Sequence, residues 1–191
     1  MMTIDKLPTL TTPRLTLRRF SPDDGQQIFD NYASDPMVAR YVTWNAHTSP
    51  QQSSQLAKFF HDGGAGPFQW AIILNETGQL IGNISLVETD ADQKNGTFGY
   101  VLGQKWWNMG LATEALTEML RFLFEECGFD TITGEYATQN PASGKVMEKC
   151  GLEYVGQDVK MVPAKNNLQV DIIIRRITRT RWYQINRKEL P

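Results

Sequence analysis

A chain of 191 residues with 41% hydrophobic, 10% aromatic and 21% charged residues has an ordinary globular composition, which excludes a disordered or low-complexity protein. At that length one domain, residues 1–191, is expected, with a core that needs no disulfide or metal staple. A formal net charge of −2 lacks the basic excess with which a general nucleic-acid binder displaces counterions.

Residues 1–13 include Asp5 and no apolar run, so no signal peptide is expected. No stretch approaches the ~20 apolar residues of a membrane span. Cys127 and Cys150 each stand just before a glycine at the end of an apolar helical pattern. Such core thiols fit a reducing compartment, and the expected location is cytoplasmic.

In chain order, Arg14-Leu15-Thr16-Leu17-Arg18 alternates as a first strand. Ser21-Pro22-Asp23-Asp24 reads as a helix start, with Ser as N-cap, Pro at N1 and acids against the helix dipole. Asp35-Pro36 repeats the signal, and Ser49-Pro50-Gln51-Gln52 adds a capping-box glutamine. Three short helices therefore fill 22–62, ended by Gly63-Gly64-Ala65-Gly66-Pro67. Strands at 69–74 and 79–87 are joined by Asn75-Glu76-Thr77-Gly78, a hairpin loop by composition, and a polar loop at 90–96 leads to a strand at 97–102.

The period then changes. Leu111, Ala112, Ala115, Leu116, Met119, Leu120, Leu123, Phe124 and Cys127 form the stripe of a half-buried helix, closed by Gly128. A strand at 131–137 completes a strand–helix–strand crossover, normally parallel and right-handed. Asn140-Pro141 opens a short helix ending at Gly151, and strands at 152–161 and 168–178 close the chain. Arg175, Arg176, Arg179, Arg181, Arg187 and Lys188 read as a solvated strand edge and tail. The fold class is α/β: a mixed sheet flanked by helices.

The segment with chemical content is the passage from the 97–102 strand into the helix. Its first turn holds small or flexible residues at Gly110, Ala112 and Thr113. The first N–H groups of a helix lack internal partners and carry the positive end of the dipole, so this is either an anion site or an ordinary helix entry turned by Gly110. A Walker loop is absent: Gly144-Lys145 is followed by Val146 and preceded at the required offset by Gln139. No G-x-G-x-x-G occupies this turn. His47 and His61, the only histidines, form no H-E-x-x-H pair and read as loop or surface residues, so no metal is expected.

Gly99-Tyr100-Val101-Leu102, followed by Trp107-Asn108-Met109-Gly110-Leu111-Ala112-Thr113-Glu114-Ala115, resembles the acetyl-coenzyme A motif Q/R-x-x-G-x-G/A of GNAT acetyltransferases. The nearest branch is that of the ribosomal-protein alanine N-terminal acetyltransferases. Asn140-Pro141-Ala142-Ser143-Gly144-Lys145-Val146-Met147-Glu148-Lys149-Cys150-Gly151-Leu152 is similar to the family's N-x-x-S-x-x-v-x-e-k-x-G-F. Thr12-Pro13-Arg14-Leu15-Thr16-Leu17-Arg18 and the ending from 171 to 182 also match, so the resemblance covers nearly the whole chain.

The resemblance implies a GNAT-like fold: about seven strands, mostly antiparallel, with the strands at 97–102 and 131–137 parallel and splayed apart. Acetyl-coenzyme A is the implied cosubstrate and a primary amine the implied acceptor. Val101 and Leu102 would bond the pantetheine arm through their backbones. Trp107, Asn108, Met109, Gly110, Leu111, Ala112 and Thr113 would form the diphosphate loop. Asn140 and Ser143 would face the arm and the sulfur, although Asn140 also reads as an N-cap and Ser143 as a small packing residue. A backbone N–H near Leu102 would stabilise the oxyanion, and Ser143 would give the departing thiolate its proton.

Several positions depart from the family. Thr97 stands where relatives often place a base, and Met147 where many place a tyrosine acid. Glu88, Glu135 or a water chain remain as candidate bases. Asn108 replaces a usual glycine and Met109 a basic or amide residue, which would weaken cofactor binding if the β-carbon crowds the phosphate. Acceptor recognition is expected from the 22–62 helices and the loops at 90–96 and 163–167. Tyr41, Trp44, Phe68 and Trp70 are either pocket or core, and Asp90 and Asp92 either recruit a cation or sit in a solvated loop. Three functions fit: a protein α-amine acetyltransferase, a small-amine acetyltransferase, or an acyl-coenzyme A binding module without catalysis. No nucleic-acid or membrane partner is expected, and a monomer and a homodimer are both compatible.

Overall fold

Period-two runs build one sheet in the computed structural model, which describes Thr3 and residues 6–187. Asp5 and Lys188, used above in reading the two ends, lie outside the described residues. The strands are β1 (Leu10–Thr11), β2 (Leu15–Arg18), β3 (Gln69–Leu74), β4 (Leu80–Thr89), β5 (Asn95–Leu102), β6 (Thr131–Ala137), β7 (Glu153–Val162) and β8 (Leu168–Thr178). They lie in the order β1-β2-β3-β4-β5-β6-β8-β7. Only β5 and β6 pair in parallel among the described residues. The count exceeds the expected seven by the two-residue β1, too short to show alternation.

Among the described residues three α-helices precede β3. A 3-10 turn at Pro22–Asp24 runs into α1 (Gly25–Ile28) and a π-type turn at Phe29–Ala33; α2 (Pro36–Ala39) and α3 (Pro50–His61) follow. At the first start, the Ser21 hydroxyl accepts from the Asp23 N–H and the Asp24 carboxylate accepts from the Ser21 N–H. The capping box expected at Ser49 does not form: its side chain makes no cap bond, and the Gln52 amide oxygen takes the Thr48 N–H at 2.7 Å instead.

After β5 come α4 (Leu111–Arg121), extended by a π-type turn at Phe122–Glu126, then α5 (Pro141–Lys149) and α6 (Arg179–Ile185). The α4 stripe is buried as its spacing predicts, with Leu111, Ala115, Leu116, Met119, Leu120 and Leu123 in one core with Leu15, Trp70, Phe98, Ile132 and Met147. Each fully buried leucine or phenylalanine there contributes about 1.5–3 kcal/mol. A second core on the other face holds Phe20, Ile28, Tyr32, Ala71 and Leu80, with Val101 packed against it.

The basic C-terminal segment differs from its expectation of a solvated edge and tail. β8 is an interior strand, and α6 follows it, capped by the Thr178 hydroxyl and burying Trp182 and Tyr183. Arg175 bonds the Leu152 carbonyl and pairs with Glu148, Arg179 pairs with Asp130, and Arg181 lies 3.6 Å from Glu153.

Candidate active site

A wedge opens in the middle of the sheet. β5 and β6 pair from Asn95↔Thr131 to Phe98↔Gly134 and no further. Beyond that point β5 stays with β4 as far as Leu102↔Gly82, and β6 stays with β8 as far as Ala137↔Ile172. Each strand therefore has one unpaired side along the wedge. The Gly103 N–H donates to the Ile81 carbonyl at 2.9 Å. In an antiparallel ladder the hydrogen-bonded pairs alternate, so Val101 bonds Asn83 while the backbone groups of Tyr100 and Leu102 point into the wedge. The register thus moves the free backbone groups expected at Val101 to Tyr100 and keeps those of Leu102. The Leu102 carbonyl is taken by the Trp107 indole N–H at 2.8 Å. Its N–H stays on the open side.

At the mouth of the wedge the chain turns into α4. Asn108 has φ +61° and Gly110 has φ +76°. Left-handed backbone favours glycine, and asparagine is among the side chains that best tolerate it, so Asn108 fits the conformation this loop requires. From Asn108 through Thr113 no N–H has a hydrogen-bond partner among the described residues; the first helical bond runs from the Glu114 N–H to the Gly110 carbonyl. A β-carbon on Gly110 would meet only Arg14, at 3.5 Å. Consecutive free N–H groups at the positive end of a helix are chemically suited to a diphosphate.

Two tyrosines flank the opening, each two residues past the last paired position. The Tyr100 hydroxyl donates to the Ser143 hydroxyl at 3.1 Å, and its ring stacks on Phe98. Burial pushes the Tyr100 phenol up, against the opposing pull of its bond to Ser143. Tyr136 lies against α5, where a β-carbon on Gly144 would sit 2.5 Å from its ring. Asn140 occupies the N-cap of α5, yet its side chain caps nothing and has no partner among the described residues. The N-cap role expected for that side chain is therefore not realised. Met147 is buried under the strands, 1% exposed, and carries no proton donor.

The opposite face of the wedge belongs to α1–α3. Glu88 pairs with Thr97 across β4 and β5, next to a bulge at Val87, and so shares the face of Thr97, Gly99 and Val101. Its exposed carboxylate has no partner among the described residues. Glu135, on the same face of β6, is held by Lys160 at 2.6 Å. Phe68 and Trp70 belong to the α4-side core, so of the four aromatic residues only Tyr41 and Trp44 stay half-buried on the α1–α3 side. Asp90 is a turn residue: its carboxylate accepts from the Lys94 and Asn95 N–H groups and the Asn95 amide.

The 163–167 loop closes over this face. Lys165 donates to the Ala39 and Arg40 carbonyls at 2.6 and 3.0 Å, and Asn45 donates to the Ala164 carbonyl at 2.5 Å. Burial lowers the Lys165 ammonium from its usual value. Beside these contacts lies a cavity of about 410 Å³ lined by Pro36, Arg40, Ala46 and Asn166.

Among the described residues no three His, Cys, Asp or Glu side chains cluster as metal ligands, and no helix is long and apolar enough to cross a membrane. His47 bonds Ser53 at 2.7 Å, and His61, which ends α3 rather than lying in a loop, bonds the Phe20 carbonyl at 2.8 Å.

Residues 14–153 match the family described as Acetyltransferase (GNAT) domain. An uncharacterized N-acetyltransferase, p20 of Bacillus licheniformis, is 28% identical, covering 78% of this chain and 85% of that protein. The ribosomal protein uS5-alanine N-acetyltransferase of Escherichia coli (strain K12) is also 28% identical, covering 85% of this chain and 84% of its own length. The crystal structure of a GNAT-family acetyltransferase from Bacillus anthracis shares the fold with a TM-score of 0.80 at 23% identity, over 91% of this chain and 99% of that one. The chain belongs to the GNAT acetyltransferase family and is an acetyl-coenzyme A-dependent N-acetyltransferase.

Proposed function

We propose that the wedge between β5 and β6 takes the pantetheine arm of acetyl-coenzyme A and that the junction from Asn108 to Thr113 takes its diphosphate. The observation that carries this reading is the run of unpartnered N–H groups at that junction, opening onto the point where the parallel pair separates. When bound, acetyl-coenzyme A supplies the thioester. Backbone groups of Tyr100 bond the arm, and Leu102 binds the thioester end through its N–H, which faces the position where negative charge develops on the carbonyl oxygen. Val101 contributes its side chain on the acceptor face, and Trp107 ties the loop to the end of β5. The Asn140 amide and the Ser143 hydroxyl face the arm and the sulfur, with Ser143 as proton donor to the leaving group. In this reading residues 1–191 act as one domain.

The acceptor is an α-amine that attacks in its neutral form, and Glu88 is the base that takes the surplus proton from its nitrogen after attack. No buried base points into the wedge: Thr97 and Met147 hold the positions from which one would act, and Lys160 occupies Glu135. The amine must therefore arrive largely neutral. An α-amino group, with a reference pKa of about 7.7–8.0, meets that condition at neutral pH far better than a lysine near 10.4. A protein N-terminus is the first acceptor to test, because the E. coli relative is named for an N-terminal alanine. The assay is acetyl transfer to N-terminal peptides, free amino acids, polyamines and peptides with a blocked α-amine. At pH 7 the neutral fractions predict a preference for α- over ε-amines of about 200- to 400-fold. Turnover confined to ε-amines or polyamines overturns the α-amine reading, and acetyl-coenzyme A binding without turnover of any amine marks a binding module.

A further inference from the structure

A glutamate sits in the first turn of α4, where its charge opposes the binding of an anion. Glu114 is only 17% exposed, and all four acceptor positions of its carboxylate are filled from the turn between β1 and β2. Oε1 accepts from the Thr12 hydroxyl at 2.6 Å and the Arg14 backbone N–H at 2.9 Å. Oε2 accepts from Arg14 Nε and Nη2, both at 2.6 Å. The remaining arm of the same guanidinium, Nη1, donates to the Met109 carbonyl at 2.9 Å. A trans peptide points its C=O and N–H in opposite directions, so fixing the Met109 carbonyl toward Arg14 turns the Gly110 N–H away from it, toward the open side of the loop. The β1–β2 turn is itself braced: the Asn75 N–H donates to the Arg14 carbonyl at 2.9 Å, and the Asn75 amide donates to the Thr12 carbonyl at 3.2 Å.

We infer that Arg14 is a positioning residue for the diphosphate, cancelling the charge of Glu114 and aiming the Gly110 N–H. The inference rests on the proposed placement of coenzyme A. Its own content is that one guanidinium, contributed from the other end of the chain, makes an acid-bearing helix N-terminus fit for an anion. Burial raises the Glu114 carboxyl, but the bonds from Thr12 and Arg14 more than offset this and hold it below its ordinary value. Glu114 is thus a carboxylate at neutral pH, and its charge faces the Arg14 guanidinium.

The test is calorimetric titration with coenzyme A and with acetyl-pantetheine, which lacks the diphosphate, alongside thermal melts. Losing a bond to a charged group predicts that R14M weakens coenzyme A binding by about 10- to 100-fold. Acetyl-pantetheine affinity stays within about threefold of wild type, because the wedge is untouched. The double variant R14M/E114Q recovers part of the lost affinity, since no uncompensated carboxylate then faces the diphosphate. R14K, which reaches either Glu114 or the Met109 carbonyl but not both, is the milder variant if R14M does not fold, and its expected loss is intermediate. Unchanged coenzyme A affinity, or an equal loss for both ligands, overturns the inference. Wild-type protein that binds neither ligand overturns the cofactor placement itself, a result distinct from either.

Discussion

Tyr100 donates a 3.1 Å hydrogen bond to Ser143, joining the wedge-facing strand β5 to the first turn of α5. Neither hydroxyl is on the surface of the domain by accident of solvation: Tyr100 is held by its stack on Phe98, and Ser143 by the helix that Pro141 begins. The bond fixes the Ser143 oxygen as an acceptor from tyrosine, which leaves its own proton available to a third group. In S143A the rate falls by about 100-fold, the usual contribution of a positioned proton donor. In Y100F it falls by about three- to tenfold, the equivalent of one hydrogen bond near 1 kcal/mol. Steady-state kinetics check both, with KM for acetyl-coenzyme A little changed; wild-type rates in S143A remove the serine from the mechanism.

The two carboxylates on the acceptor face differ in what holds them. Glu88 is free of partners among the described residues, whereas Glu135 is bound by Lys160. E88Q therefore lowers the rate at neutral pH by about 100-fold, the scale of general-base catalysis, because the surplus proton on the attacking nitrogen then leaves without a positioned acceptor. E135Q changes the rate by less than about threefold, because the glutamine replaces a half-exposed ion pair of small worth. A pH–rate profile of both variants is the measurement, and the reverse ranking would move the base to β6.

Acid stability follows from two groups whose values are depressed in the fold. Glu114 is lowered on balance by Thr12 and Arg14, so its stabilising contribution is present above the unfolded value of about 4.3 and is lost as pH falls through its lower folded value. Burial lowers His47, so folding keeps it neutral while the unfolded chain binds a proton below about pH 6.5; stability again declines as pH falls. Urea denaturation at a series of pH values should show E114Q less stable than wild type at pH 7 and the difference vanishing at strongly acid pH. H47Q should flatten the slope that begins just below pH 6.5. A constant difference across the range contradicts the Glu114 assignment.

Slow thiol chemistry is expected of both cysteines in the folded protein. Burial pushes the thiols of Cys127 and Cys150 up to about 11, and Cys150 is 4% exposed against Thr117. The thiolate fraction at pH 7 is then about one part in ten thousand. A thiol-disulfide reagent should label neither cysteine rapidly in the folded protein and both in denaturant. Fast labelling of Cys150 in the native state would mean that α5 does not pack on α4 as described.

Much of this arrangement is legible in the chain itself because it rests on local signals. The change of period at Leu111, the glycine at 110 and the Asn140-Pro141 helix start place the loop, the helix and the second motif within a residue or two. What is illegible depends on partners distant in sequence. Val101 and Tyr100 differ only in which way their backbone groups point, and that is set by the pairing of Gly103 with Ile81. Arg14 and Glu114 stand 100 residues apart, and nothing near either announces the other. α6 has too few residues for a stripe; Trp182 makes it a helix by stacking on Phe124 and donating to Glu125 at 2.8 Å. Lys160, on β7, removes Glu135 from contention through a contact that reaches across β8 and that no spacing predicts.

The most direct measurement is residue-resolved amide hydrogen exchange with and without coenzyme A. The account predicts new protection of the N–H groups of Asn108 to Thr113 and of Tyr100 and Leu102, with Val101 already protected before the ligand is added. Protection that appears elsewhere while the α4 junction exchanges as before would contradict it.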